Sequence, residues 1–525
     1  MRSYYEHLFQ TQKVQSSEVV MPTFRASAIF PAYHTSEIST RYIFLGYWLI
    51  KRNIKELVCI VTLRNQHGEV LFKKEFLIQE KRGYSIELSE LLLSTHVDAP
   101  LFTGSVEIEF FSSEPLVYPF PAVTINIYGK KFSSVVHAAQ RVYNDKQDMA
   151  ANEKEHVAES GFNIIIDQNR EPYLTLINGP QREENFKLDF QFINHREEIL
   201  HINETIEHLS PYEARFIYPA QISNLELAKF LEKFPGTLKI NFKLSWIYPR
   251  LIVGTYDKSL PAFSVTHSYY DCSCSVKPSD YWQDIDKEHY PASLLLPVSI
   301  EDDYFTRITF YPIYSPSNTV IDLEILDEIG HVQLIKKEIL RFENSIGKYF
   351  VIDVNKICKD LSQKSRLSAH LIARSKKGSK IPARIKVSLD IGHKDKGMPC
   401  NICTNLVPFN PQLQDKSTTF RWLPILADKP GSSCWIMNNS PKIEQVESTH
   451  VELVFYREKD TKVLKRSLSI LPKGFLEIRE DKDNELSKFL NGTIGWCTVL
   501  ASNPYISTYY FSDNSSGVIG GDHGY

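Results

Sequence analysis

The sequence predicts an all-β protein: tandem antiparallel β-sandwich modules, immunoglobulin-like in architecture, with short capping helical turns. Three observations predict it. The chain holds 27 Tyr and 30 Phe against 5 Met, and aromatic side chains favour strands. Apolar and polar residues alternate over short runs bounded by Gly, Asp and Asn, the pattern of half-buried strands joined by tight turns. One order of elements also recurs four times along the chain: a hairpin, a helical turn, a glycine and a further strand.

The hairpins come first. Val58–Leu63 turns through Asn65–Gly68 into Val70–Ile78, and Val320–Leu326 turns through Asp327–Gly330 into Val332–Leu340. Val451–Tyr456 turns through Glu458–Asp460 into Val463–Ile470. Helical turns follow at Leu88–Leu92, Leu227–Leu231, Val354–Cys358 and Leu486–Leu490, each apolar at i, i+3 and i+4. Gly104, Gly236 and Gly492 open the next strand, where the third copy has Arg366-Leu367 instead. A closing hairpin is expected in each copy, turning at Ser112–Pro115, Tyr248-Pro249, Lys376–Ser379 and Ser502–Pro504. Hairpins with one apolar face must pack on a second sheet, which makes sandwiches.

A length of 525 residues allows about three to five domains. The charged stretch 144–160, the polar stretch 277–291 and the Pro/Gln-bearing stretch 409–417 read as connectors. The expected division is an N-terminal segment over 1–40 and modules over 41–145, 161–275, 291–410 and 418–525.

Charge is balanced, with 60 Lys and Arg against 63 Asp and Glu. No basic excess marks a phosphate backbone as partner, so no nucleic acid is expected. No run approaches the roughly 18 apolar residues of a membrane span. The opening residues Met1–Gln10 lack the apolar core of a signal peptide. The eight cysteines are scattered, several inside apolar runs. A cytoplasmic protein with reduced thiols is the expectation.

Several constellations are candidates for chemistry. Polar groups are dense after the first module: His137, Gln140, Arg141, Tyr143 and Asn144. Arg141 offers a fork of donors and Tyr143 a face for stacking, a combination suited to a sugar or carboxylate. The ordinary alternative is an amphipathic helix burying Val135, Val136, Ala139, Val142 and Tyr143. Similar ends follow at Ser264–Asp271, with His267, and at Ser515–Tyr525, with Asp522 and His523. If these ends met, His137, His267 and His523 would serve as acid–base groups or metal ligands, with Asp522 orienting His523. In a linear array they would instead lie a module apart.

Cys400 and Cys403 have zinc-knuckle spacing with His393 upstream, but the second half of such a site is missing. Cys272 and Cys274 lack that spacing. The basic window Arg366–Lys386, with His370, Arg374, Lys376, Lys377, Lys380 and Arg384, reads as an edge hairpin guarded by charge. No phosphate loop, dinucleotide fingerprint, nucleophile elbow or zinc-protease helix is present, so no cofactor is expected. The expected function is a non-catalytic binding or scaffold protein recognising a glycan, a sugar derivative or a protein partner. The alternatives are a carbohydrate-active enzyme using the His/Asp groups or a metal, and a structural subunit of a larger assembly.

Overall fold

The structure is a computed structural model. It describes residues 23–525 except 96–99, 144–158, 223–225, 271–280, 283–286, 302, 314–317, 344–347, 363, 376–380, 383–384, 395–396, 414–415, 430 and 514–516. The fold is all-β. The described residues form four sandwiches, and all four share one strand order.

The first sandwich shows the order plainly. One sheet runs Phe24–Thr35, Leu101–Ser112, Leu57–Asn65, Val70–Ile78; the other runs Gly83–Glu87, Ile38–Leu45, Val123–Gly129, Ser133–His137. Numbered along the chain, the sheets are thus 1-6-3-4 and 5-2-7-8, and the other three sandwiches repeat this pairing. The alternation that drives it is visible on Thr449–Arg457 in the fourth sandwich. Val451, Leu453 and Phe455 are buried while His450 and Glu452 are exposed, as a period of two requires. Helical turns cap each copy at Leu88–Leu93, Glu226–Leu231, Val354–Ile357 and Asn484–Leu490.

Two expectations are corrected. Residues 24–40 are not a separate segment, because strand Phe24–Thr35 pairs along its whole length with Leu101–Ser112 of the first sandwich. The closing hairpins are also absent. The sixth and seventh strands, Leu101–Ser112 and Val123–Gly129 in the first copy, lie in different sheets, so their connection crosses the sandwich. The hairpin that does close each copy joins strands seven and eight.

The sandwiches form a closed ring. The turn between strands three and four of each one docks at the start of strand five in the next. Gln66 O accepts from Ala214 N at 3.0 Å, and Glu328 O accepts from Phe475 N at 3.0 Å. Lys348 Nζ meets Glu197 at 2.7 Å. The fourth sandwich returns to the first, where Arg82 Nη1 donates to Glu458 O at 2.9 Å and Ser85 Oγ bonds the Glu458 carboxylate. Such head-to-tail contacts make a ring when the rotation closes. The apolar cores of the first and fourth sandwiches run together, and Trp435, Met437 and Tyr509 of the fourth join the core of the third. The eighth strands, Ser133–His137, Ala262–His267, Ile402–Asn405 and Ile519–His523, pack on one another at the middle.

Candidate functional site

The site forms where three of those central strands end. His137, His267 and His523 are each the last residue of an eighth strand, and Asn405 holds that place in the third sandwich. His137 pairs with Thr124, His267 with Ile252 and His523 with Tyr509, at the start of the neighbouring strand. Ring closure brings these ends together. Nitrogen donors of the three histidines and a carboxylate oxygen of Asp522 all lie within 4.8 Å of one another. The His137 ring centroid is 4.8 Å from that of His267 and 4.6 Å from that of His523.

Asp522 organises the cluster. Its Oδ2 lies 2.7 Å from His137 Nδ1 and accepts from His137 N at 2.9 Å, while Oδ1 accepts from His523 N at 2.8 Å. Burial alone would raise this carboxyl, but the neighbouring His137 and His523 and the bonds from His137 hold it below its ordinary value. His523 Nδ1 sits 3.0 Å from Gly524 O, and His267 Nδ1 sits 3.0 Å from Ser268 O. A ring whose Nδ1–H donates to a carbonyl keeps its Nε2 lone pair free for another partner. Burial, with His137 adding to it against Asp522, pushes His523 down to about 4. Burial and the Arg250 guanidinium push His267 down as well. Arg250 Nη2 lies 2.9 Å from His267 Nδ1 and 3.3 Å from its Nε2, so the guanidinium and the Ser268 carbonyl compete for the same ring nitrogen.

A small pocket of about 200 Å³ adjoins the cluster, with His137 in its wall. Tyr47, Phe120, Ala138, Trp422 and Tyr525 line it, and Lys51 and Arg52 stand at its exposed side. A second, larger groove of about 810 Å³ lies between the second and third sandwiches. Polar and apolar residues share its walls, with Asp167, Arg170, Asp257, Arg307, Asp390 and Asn401 among the polar ones. Asp390 is buried there and accepts from Asn401 Nδ2 at 2.8 Å and Ser388 Oγ at 3.0 Å. Burial raises its carboxyl, against the opposing pull of Arg307.

The other expected site residues lie elsewhere. Gln140, Arg141 and Tyr143 are neither on an open loop nor on a helix. Strand Arg141–Val142 pairs with Ile247–Tyr248 of the second sandwich and buries all three residues in the seam. Asn144 falls outside the described residues, as do Cys272, Cys274, Lys376, Lys377, Lys380 and Arg384. Cys400 and Cys403 are buried, and burial pushes the Cys400 thiol well up. His393 does not turn to them: its Nε2 lies 3.3 Å from Asp513 and its ring packs on Tyr304. Among the described residues these three make no metal cluster. In the described part of the basic window, Arg374 binds Asp322 through two bonds of 2.8 Å and His370 meets Glu324 at 3.0 Å. Sequence reasoning missed Arg250, Trp422 and Asp390. Only Asp390 left a signal, as a carboxylate inside the apolar run of strand Lys386–His393.

No family model and no curated protein matches the chain. Two solved structures show a distant likeness. One is a tetra-tandem repeat in the extending region of a large adhesion protein, 7% identical over 95% of this chain and 98% of that chain, with a TM-score of 0.08. The other is the BSP domain of a biofilm associated protein, 8% identical over 95% of each chain, with a TM-score of 0.13. At those TM-scores neither defines the fold. No helix among the described residues is long and apolar enough to cross a membrane.

Proposed function

We propose that this chain is a binding scaffold whose ring of sandwiches holds a divalent transition-metal ion, zinc by its donor chemistry, at the centre. The observation that carries this reading is the meeting of His137, His267, His523 and Asp522 within 4.8 Å. Imidazole nitrogen with one carboxylate suits zinc, which binds such donors at about 2.0–2.2 Å in a tetrahedron. The Gly524 carbonyl at His523 Nδ1 holds that ring in the tautomer that presents Nε2. Four protein donors close a tetrahedral site, and closed sites are structural, whereas catalytic zinc keeps a position open. That favours the scaffold reading over the hydrolytic one. If Asp522 instead stays on His137, three histidines remain and the fourth position is free for water, which is the enzyme alternative.

The test is zinc titration of chelator-stripped protein, followed by calorimetry and thermal unfolding. One equivalent should bind and raise the melting temperature. Arg250→Gln, which removes the guanidinium held against both nitrogens of the His267 ring, should tighten binding. Protein that neither carries nor takes up zinc, nickel or cobalt would leave the cluster as a hydrogen-bonded joint and overturn the reading.

The larger groove supports a second reading, a glycan partner. Buried Asp390 and the unpaired amide oxygens of Asn163 and Asn401 suit a ligand rich in hydroxyl donors. A panel of neutral oligosaccharides tested against wild-type protein and Asn401→Ala decides it. Equal response in both would remove the groove from consideration.

A further inference from the structure

The pocket beside His137 carries a charge pattern that the metal reading does not use. Its deep walls are aromatic and tightly fixed. The Trp422 ring stacks on Tyr47 at 4.8 Å and on Tyr525 at 5.6 Å between centroids. Tyr525 is tied down by Thr124 Oγ1, 3.0 Å from its hydroxyl, and by its own N–H, which donates to Trp422 O at 3.0 Å. Phe120, Pro121, Ala122, Ala138 and Ala139 complete an apolar lining. No acidic residue lines it among the described residues.

Three cations gather at this place. Lys51 Nζ stands 4.9 Å from the Trp422 ring centroid and 5.3 Å from that of Phe420. Arg52 lines the same mouth. Arg421 lies close enough that it and Arg52 both oppose the charge on Lys51, after burial itself. None of the three makes an ion pair among the described residues, in a protein that pairs Arg25, Arg41, Arg64, Arg374, Arg457 and Arg466. The Trp422 indole N–H is buried and has no hydrogen-bond partner. Unpaired cations that repel one another beside an apolar aromatic wall are stabilised by a bound anion. A cavity of about 200 Å³ lies below the usual range for drug-sized ligands, so it holds one ring rather than a chain of them.

We infer that the pocket formed by Tyr47, Phe120, Trp422 and Tyr525 binds a small carboxylate whose body is a single apolar ring, its charge met by Lys51 and Arg52. The apolar walls select against an acidic sugar, whose hydroxyls would be left without partners. The metal is not required, because neither cation nor the aromatic wall belongs to the His/Asp cluster.

The experiment is isothermal titration of the full chain, chelator-treated, with phenylacetate, its neutral isostere phenylacetamide, and glucuronate. Phenylacetate should bind at least about tenfold more tightly than phenylacetamide, and glucuronate should not compete. Lys51→Ala with Arg52→Ala should bring phenylacetate down to the level of the amide, and Ala139→Leu should block both by filling the cavity. Both changes fall on partly or fully exposed residues, and an unchanged melting temperature confirms the fold of each variant. Equal affinity for acid and amide, no binding of either, preference for glucuronate, or full affinity in the double variant would each overturn the inference. Binding that persists after chelation keeps it separate from the metal reading, whichever way that one falls.

Discussion

His137 Nδ1 and Asp522 Oδ2 lie 2.7 Å apart although 385 residues separate them in the chain. The same carboxylate also accepts from the backbone N–H of His137 and of His523. Oδ2 therefore ties the first sandwich to the fourth through two donors of His137, while the bond from His523 N to Oδ1 stays within the fourth. Asp522→Asn presents an NH2 group to one of these N–H donors. The expected cost is about 1–3 kcal/mol, as for a buried donor left unsatisfied. Denaturant unfolding measures it, and zinc binding should weaken in the same variant.

Gly520 makes a second joint between the same sandwiches. A Cβ at this position would sit 2.1 Å from the Ser133 carbonyl oxygen, which is backbone and cannot step aside. Gly520→Ala should destabilise the protein by about 1–3 kcal/mol or more, the range for forced overpacking. Loss of resistance to limited proteolysis at the central strands would report the opened joint.

Arg41 of the first sandwich forks onto Asp428 of the fourth at 2.6 and 2.9 Å and gives its Nε–H to Asn126 at 2.7 Å. A lysine keeps the charge but not the planar fork. Arg41→Lys should cost about 1–3 kcal/mol, the loss of charge-assisted bonds at a buried site. A double-mutant cycle with Asp428→Asn should show coupling between the two positions.

Acid should loosen the joint between the third and fourth sandwiches. Burial would raise the Glu324 carboxyl, but the bond from His370 and the Lys473 ammonium of the fourth sandwich bring it down to about 2. Its folded value lies below the ordinary carboxylate value of roughly 4.3. The stability it supplies is therefore complete above that ordinary value and is lost as pH falls towards 2. Burial lowers His370 too, so its contribution has the same sign and begins to fade below about pH 6.5. The melting-temperature gap between wild type and Glu324→Gln should hold near neutral pH and close under acid.

The described thiols should be inert in the folded protein. Cys59, Cys358, Cys400, Cys403, Cys434 and Cys497 are all buried. Burial raises Cys358 to about 11 and drives Cys400 and Cys434 further up. The thiolate is the reacting form. In a Cys272→Ser, Cys274→Ser background, a thiol reagent should label only after denaturant is added.

Much of the architecture could be read from local pattern. Val451, Leu453 and Phe455 alternate as an inward face must, and Asn65–Gly68 and Asp327–Gly330 turn where their residues say. Sheet membership was harder to read. Leu101–Ser112 and Val123–Gly129 alternate in the same way whether they pair with each other or lie in opposite sheets, because the choice is made by distant partners. Strand Phe24–Thr35 was hidden by its small inward residues Ala26, Ala28 and Ala32 and by Pro31, which an edge strand tolerates. The recurrence of histidine at module ends was visible. That those ends meet depends on docking contacts between turns and strands far apart in sequence, such as Gln66 with Ala214, which carry no local signature. Gln140 and Arg141 read as ligand contacts because they are polar, yet both are buried at the seam that Arg141–Val142 makes with Ile247–Tyr248.

The return of the fourth sandwich onto the first has a consequence for how this protein comes apart. A row of repeats has two ends, each holding one neighbour, and melting can start there and travel inwards. Here every sandwich is held on two sides, so losing any one of them strips contacts from both of its neighbours. Heating should show one calorimetric transition for the whole chain, with the weakest sandwich setting the temperature at which all four let go.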